Sequence, residues 1–318
     1  MSLPEVTVVG AGQVGATAAH LLVLKGLANV TLVDVVDGLA QGKALDISQS
    51  APIEGFLSAI RGTTDYAAMA GSRIVIVTAG LARKPGMSRD DLLSANANIV
   101  GPIAERIAKA APEAIIIIVT NPLDVMVALA LQRSGFPRQR VMGMAGVLDS
   151  ARLRTFLAQR LGIPPRELQA MVLGSHGELM VPIPGSMTAH GEAVTARLKA
   201  EELEPIFQRT KDGGAEIVAL LKQGSAFYAP ASGVVEMTSA ILRNSHAVLP
   251  VCAWLQGEYG LRDVAIGVPA QLGSAGIERI VDLPLTSTER AALTKAAEQV
   301  REMTKSLAAL YAIPARSS

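Results

Sequence analysis

Apolar positions in the first half of the chain follow two alternating rhythms. Short unbroken β-branched runs occur at "VTVVG" (6–10), "NVTLVD" (29–34), "RIVIVTAG" (73–80), "AIIIIVTN" (114–121) and "VMGMAG" (141–146). Between them lie stretches with helical spacing: "QVGATAAHLLVLKG", which stops at Gly26, then "GLAQGKALDIS", then Asp90 to Ala111. Pro122 fits the first turn of a further helix. Strands apolar on every residue are covered on both faces, so the pattern predicts an α/β fold, a doubly wound parallel sheet with helices on each side. After Asp149 the rhythm changes. A helix from Ala151 to Leu161 ends at Gly162, and mixed strands and turns run through "LQAMVLGSHGELMVPIPG". A long helix covers roughly Glu201 to Lys222, another follows "YAPASG", and a last one fills Ser287 to Tyr311. This second half reads as α+β, and the expected division is 1–145 and 146–318, with no Ser- or Pro-rich linker between the two.

Composition narrows the function classes. Half of the residues are hydrophobic and only 18% are charged, with a mean hydropathy of +0.36, so a membrane span has to be considered. The most apolar stretch, "AIIIIVTNPLDVMVALALQ", is interrupted by Asn121, Pro122 and Asp124 and reads as strand then helix. A net charge of +1 offers no field for nucleic acid or a membrane surface. The single cysteine, Cys252, rules out an internal disulfide and suits a reducing, cytoplasmic setting. No secretory leader is expected.

"VTVVGAGQVG" carries Gly10, Gly12 and Gly15 in G-x-G-x-x-G spacing, directly after a strand and opening a helix. Gly10 makes the tight turn, Gly12 lets a pyrophosphate approach the backbone, and Gly15 lets helix pack on strand. Ala11, Gln13 and Val14 complete the turn and first helical residues, whose free N–H groups suit phosphate. The second strand ends at Asp34, where a carboxylate binds a ribose diol and repels a 2′-phosphate. A Rossmann-type NAD site is the expectation, NAD being favoured over NADP.

The second half places His176 between glycine-rich turns in "GSHGE". His20, His190 and His246 lack a polar constellation and read as bland. Asp149, in "GVLDSARLRTF", stands at the start of a helix, where an acid is ordinarily an N-cap. The alternative is an acid oriented toward an imidazole, which favours imidazolium and so creates a proton donor. Arg152 lies one helical turn further on the same face and could grip a carboxylate in a two-point fork.

Together "GAGQVG", "QGKALDI", "TAGLARKPGMSRDDLL", "VTNPLDVM", "AGVLDSARLRTFLA" and "GSHGELMVP" resemble the L-malate/L-lactate dehydrogenases, over nearly the whole chain and closest to the bacterial malate type on the lactate dehydrogenase scaffold. The resemblance implies NAD-dependent oxidation of (S)-malate, no metal, and a homotetramer or homodimer. It puts the proton donor and acceptor at His176 and its paired acid at Asp149. It puts the carboxylate anchor at Arg152, the carbonyl-polarising arginine at Arg89, and a contact to substrate and nicotinamide at Asn121. Val119, Thr120 and Asn96 fall beside the cofactor. It also makes "LARKPGMSR" a lid, with Arg83 at the position that selects the substrate's far end. A second carboxylate needs a cation there, since an unpaired buried charge costs on the order of 3–5 kcal/mol. Departures are Glu178 and Ser175, where the family often has Asp and Gly, and Ala229, where lactate enzymes often carry Thr. A lactate dehydrogenase and a catalytically silent NAD-binding protein are the competing readings.

Overall fold

The computed structural model describes residues 3–81 and 88–311. Arg83 and Lys84 lie outside the described residues, as do the side chains of Arg89 and of residues 308–311.

In the first half, strands β1 (Glu5–Val9), β2 (Asn29–Val33), β3 (Ile60–Thr63), β4 (Ile74–Val77), β5 (Ile115–Ile118) and β6 (Val141–Gly143) alternate with helices. The helices are α1 (Gln13–Leu24), α2 (Leu39–Glu54), α3 (Arg89–Ala110), α4 (Leu123–Ser134) and α5 (Gly146–Leu161). The six strands are parallel, in the order β3-β2-β1-β4-β5-β6. The order reverses between β1 and β4, which opens a crevice beyond their carboxyl ends. The Val/Ile runs make the centre of the sheet dry: Ile74 to Val77 are wholly buried, and Ile115 to Ile118 are no more than 2% exposed. Each such side chain contributes about 1.5–3 kcal/mol by leaving water.

The second half adds β7 (Leu168–Gln169), β8 (Val172–Gly174), β9 (Met180–Pro182), β10 (Thr188–Ala189), β11 (Glu192–Ala193), β12 (Ala247–Gln256), β13 (Arg262–Gly273) and β14 (Gly276–Ile280). Its helices are α6 (Ala200–Leu221), α7 (Tyr228–Leu242) and α8 (Ser287–Tyr311). The expected α/β and α+β halves are both present, but they share one sheet. β12 pairs antiparallel with β6 at Cys252 and Gly143, and the order continues β12-β13-β8-β9. The β12–β14 meander was not foreseen. Pro250 and Pro269 stand directly opposite each other in it, and proline argues against a strand when only the sequence is read. β3 was missed as well, being a short edge strand without a strongly apolar face.

Helix α5 starts at Gly146, five residues before the expected Ala151, and this changes the reading of Asp149. Asp149 is not an N-cap. Ala145 holds that position, without a side-chain bond, and Asp149 lies inside the first turn. Only a glycine fits at this start: a Cβ at Gly146 would fall 2.7 Å from the Pro250 side chain and 2.8 Å from the Val172 carbonyl.

The loop that follows β8 carries His176, and β8 is fixed by close backbone approach. Gly174 pairs with Gly267 of β13, and a Cβ at Gly267 would stand 2.5 Å from the Gly174 carbonyl oxygen. Gly267→Ala is therefore expected to destabilise the fold by about 1–3 kcal/mol. Urea unfolding with tryptophan fluorescence measures this, and an unchanged midpoint would show that the two strands can separate without cost.

Candidate active site

The glycine turn and Asp34 form one unit at the end of β1 and β2. Gly10 has a φ of +105°, and a Cβ on it would lie 2.6 Å from the Ala79 amide nitrogen. A Cβ on Gly15 would lie 1.8 Å from the Gly10 carbonyl oxygen, so helix and turn touch backbone to backbone. Gly12 behaves differently: nothing stands within 4 Å of a Cβ there, and it is exposed at the helix N-cap without a side-chain bond. The start of α1, with Gln13 exposed and Val14 half-buried, thus faces open space with its positive end. Asp34 Oδ2 accepts the Ala11 N–H at 2.7 Å and Oδ1 accepts the Val36 N–H at 3.0 Å. Each oxygen keeps a lone pair for a diol. These groups fit a dinucleotide: an uncapped helix start for its phosphates and an anchored carboxylate for its ribose.

Asn96, from α3, is fully buried and acts as a strut between two loops. Its Oδ1 accepts the Leu81 N–H at 2.7 Å, and its Nδ2 donates to the carbonyls of Leu81 and Asn121. Thr120 Oγ1 donates to the Ala79 carbonyl at 2.7 Å, joining the same loops, and Val119 is half-buried beside it. These bonds hold Asn121, itself exposed, at the edge of a cavity of about 360 Å³.

That cavity is walled by Asn121 and His176, by Asp90 and Leu93 of α3, and by Gln299 and Met303 of α8. Behind it, Asp149 is 2% exposed. Its Oδ2 lies 2.9 Å from His176 Nδ1 and its Oδ1 lies 3.4 Å from an Arg152 guanidinium nitrogen. Pairing at Nδ1 leaves Nε2 of the imidazole for the cavity. Burial pushes the His176 pKa down, but the Asp149 carboxylate and its hydrogen bond push it up further, and the net direction is upward. Burial lowers the Arg152 pKa, against the opposing charge of Asp149; an arginine nonetheless stays protonated.

Arg89 opens α3, directly after Ser88. Ser88 caps the helix by accepting the Asp91 N–H at 3.0 Å, and Asp91 returns the bond to the Ser88 N–H. The residues brought together are thus His176, Asp149, Arg152 and Asn121. Arg152 is not among the residues that wall the cavity; it reaches the site through Asp149.

Two features escaped the sequence reading. Gly213 and Gly214 sit inside α6, where each glycine costs about 1 kcal/mol relative to alanine. A Cβ at Gly213 would lie 3.2 Å from Arg152 Cδ, and one at Gly214 would lie 3.6 Å from its guanidinium. The pair forms the slot in which Arg152 rests, and two adjacent glycines in a long helix were the available signal. The other is Asp124, an acid within an apolar helix, now 3% exposed and bonded to Ser175 and His176. His190 and His246 make half-exposed pairs with Glu167 and Glu278, away from the cavity wall. Among the described residues, no cluster of three His, Cys, Asp or Glu side chains could hold a metal ion.

Comparison with known proteins shows the family to which the chain belongs. Residues 4–143 match the lactate/malate dehydrogenase NAD-binding domain, and residues 146–310 match the lactate/malate dehydrogenase alpha/beta C-terminal domain. A malate dehydrogenase of Roseiflexus castenholzii is 52% identical over 93% of this chain and 96% of its own. The crystal structure of Cryptosporidium parvum malate dehydrogenase superposes with a TM-score of 0.94 at 40% identity, over 96% of this chain and 99% of that one. A lactate dehydrogenase of the same organism, complexed with lactic acid and nicotinamide adenine dinucleotide, superposes at 0.93 with 38% identity, covering 96% and 98%. The chain belongs to the lactate/malate dehydrogenase family.

Proposed function

We propose that this chain is an NAD-dependent malate dehydrogenase that interconverts (S)-malate and oxaloacetate. One observation carries the reading: the His176–Asp149–Arg152 array stands beside Asn121, in a chain about half identical over nearly its full length to malate dehydrogenases. NAD, when bound, accepts the hydride that leaves the hydroxyl-bearing carbon.

The chain's own residues supply the rest. His176 Nε2 takes the hydroxyl proton as the carbonyl forms, and returns it in reduction. Asp149 fixes the Nδ1–H tautomer and stabilises the imidazolium. By family resemblance Arg152, whose guanidinium shares the Asp149 carboxylate, takes the substrate carboxylate next to the reacting carbon. Asn121 offers an amide to substrate and nicotinamide. By family resemblance, Arg89 polarises the carbonyl and Arg83 pairs with the second carboxylate. Gly10 to Gly15 and Asp34 hold the pyrophosphate and adenosine ribose, with Asn96, Val119 and Thr120 shaping the nicotinamide end.

The assembly proposed is a cytoplasmic homotetramer, with a homodimer as the smaller alternative; residues 1–145 form the cofactor unit and 146–318 the substrate unit. Exposed apolar side chains on α2 and just past its end, Ile53 at 85% and Leu57 at 97%, support assembly. No helix among the described residues is long and apolar enough to cross a membrane.

The direct test is NADH oxidation with oxaloacetate and with pyruvate. Oxaloacetate is expected to give much the higher kcat/KM, and a preference for pyruvate would overturn the reading. Arg83→Gln should reduce the preference by hundreds- to thousands-fold, the equivalent of about 3–5 kcal/mol, with NADH affinity unchanged. His176→Asn should abolish nearly all turnover while NADH still binds in a fluorescence titration.

The pH dependence has a defined sign. Reduction of oxaloacetate needs imidazolium, so its kcat/KM should fall as pH rises through a His176 pKa above the usual 6.5. Malate oxidation needs the neutral ring and should rise through the same range. Asp149→Asn should move both midpoints to lower pH, and midpoints left in place would refute the pairing's electrostatic role.

A further inference from the structure

Asp124 has no part in the reaction just described. It stands in the first turn of α4, followed by Val125 to Leu131 in an unbroken apolar run, and is 3% exposed. The helix dipole favours an acid in a first turn by about 0.3–1 kcal/mol, far less than the several kcal/mol that burying a carboxylate costs. An apolar side chain would serve packing better at that depth.

Its contacts point elsewhere. Asp124 Oδ2 accepts a hydrogen bond from Ser175 Oγ at 2.7 Å and a second from the His176 backbone N–H at 3.3 Å. Oδ1 is buried without a hydrogen-bond partner of its own. The fully buried thiol of Cys252, on β12, interacts with the same carboxyl. A side chain in α4 therefore reaches across to the main chain of the loop that carries His176. Asp149, in α5, holds the ring of the same residue.

We infer that Asp124 is a positioning residue for His176, clamping its peptide from the α4 side while Asp149 orients its imidazole from the α5 side. This rests on the proposed proton-transfer role of His176. A ring held only at Nδ1 can pivot about that bond with its backbone. Fixing the peptide N–H as well leaves Nε2 one direction in the cavity. Misplacement by about 1 Å is enough to cost roughly a hundredfold in rate.

The charged and titratable groups around the histidine are Asp149 and Arg152 from α5, Asp124 from α4 and Cys252 from β12, and Asp124 lines the cavity together with Asp90 of α3 and Glu178 of the histidine's own loop. Burial raises the Asp124 pKa, while Ser175, Cys252 and the His176 imidazolium hold it back. The carboxyl and the imidazole each favour the other's charged form.

The test uses the full-length enzyme and the variants Asp124→Ala, Asp124→Asn and Ser175→Ala. It measures kcat and KM for oxaloacetate, NADH affinity, and the pH profile of kcat/KM, each well below the melting temperature of the variant. Asp124→Ala should lose roughly ten- to a hundredfold in kcat, with NADH affinity unchanged and the alkaline limb moved to lower pH. Asp124→Asn keeps an acceptor for both donors and should restore most of the kcat, while the limb stays at lower pH because the charge facing the imidazole is gone. Ser175→Ala, which keeps the hydrogen bond from the His176 peptide N–H to Asp124, should lose only a few-fold; it carries the test if the alanine variant does not fold, since an unchanged kcat there would then overturn the inference. A folded Asp124→Ala with parental kcat and pH profile would overturn it, as would an Asp124→Asn no better than alanine. A parent enzyme inactive on oxaloacetate and pyruvate alike would instead defeat the proposed function.

Discussion

Asp149 lies buried between an imidazole and a guanidinium, one carboxylate oxygen facing each. A carboxylate at that depth loses its hydration, and leaving it unpaired would cost about 3–5 kcal/mol. Neither His176 nor Arg152 can turn away without exposing that cost. The pairing therefore orients both side chains together: an imidazole that borders the cavity, with its second nitrogen left free of Asp149, and a guanidinium on the other oxygen of the same carboxylate.

The remainder of the fold keeps those three groups in register. His176 and Asp149 come from separate parts of the second half, yet both are tied to the single sheet that crosses the molecule. β13 grips β8 through the Gly267–Gly174 approach, and the histidine follows directly. β12, next to β13, packs Pro250 so close to the start of α5 that only a glycine fits there, three residues before Asp149. On the far side of α5, the paired glycines of α6 leave the width that the Arg152 side chain fills. Missing side chains are as much a part of this site as the present ones.

The nucleotide end is built on a different principle. There the backbone itself is the functional surface: a helix start without a cap, a left-handed glycine turn, and an aspartate that fastens strand to turn while keeping lone pairs outward. Asn96 and Thr120 fasten the loops after β4 and β5 to each other. These loops meet the cavity at Asn121, whose main-chain carbonyl accepts the Asn96 amide and whose residue borders a cavity lined by both halves of the chain.

The sequence by itself determined the doubly wound half. Its strands are buried on both faces and therefore read as unbroken Val/Ile runs, and its glycines recur where only a residue without Cβ fits. It also determined which residue types could do the chemistry, because "GSHGE" and "LDSAR" carry their meaning in a few adjacent positions. What it left open were relations between distant segments. Asp149 had the local signature of a helix cap, yet in the fold the helix begins at Gly146, packed against Pro250, and Asp149 falls inside its first turn. The β12–β14 meander was masked by prolines whose tolerance depends on the partner strand. Asp124 read as an interruption in an apolar run, and the Ser175–His176 segment some fifty residues later gave it a partner. Local patterns record what each segment must bury; which acid meets which base is decided only when segments far apart in the chain are folded against one another.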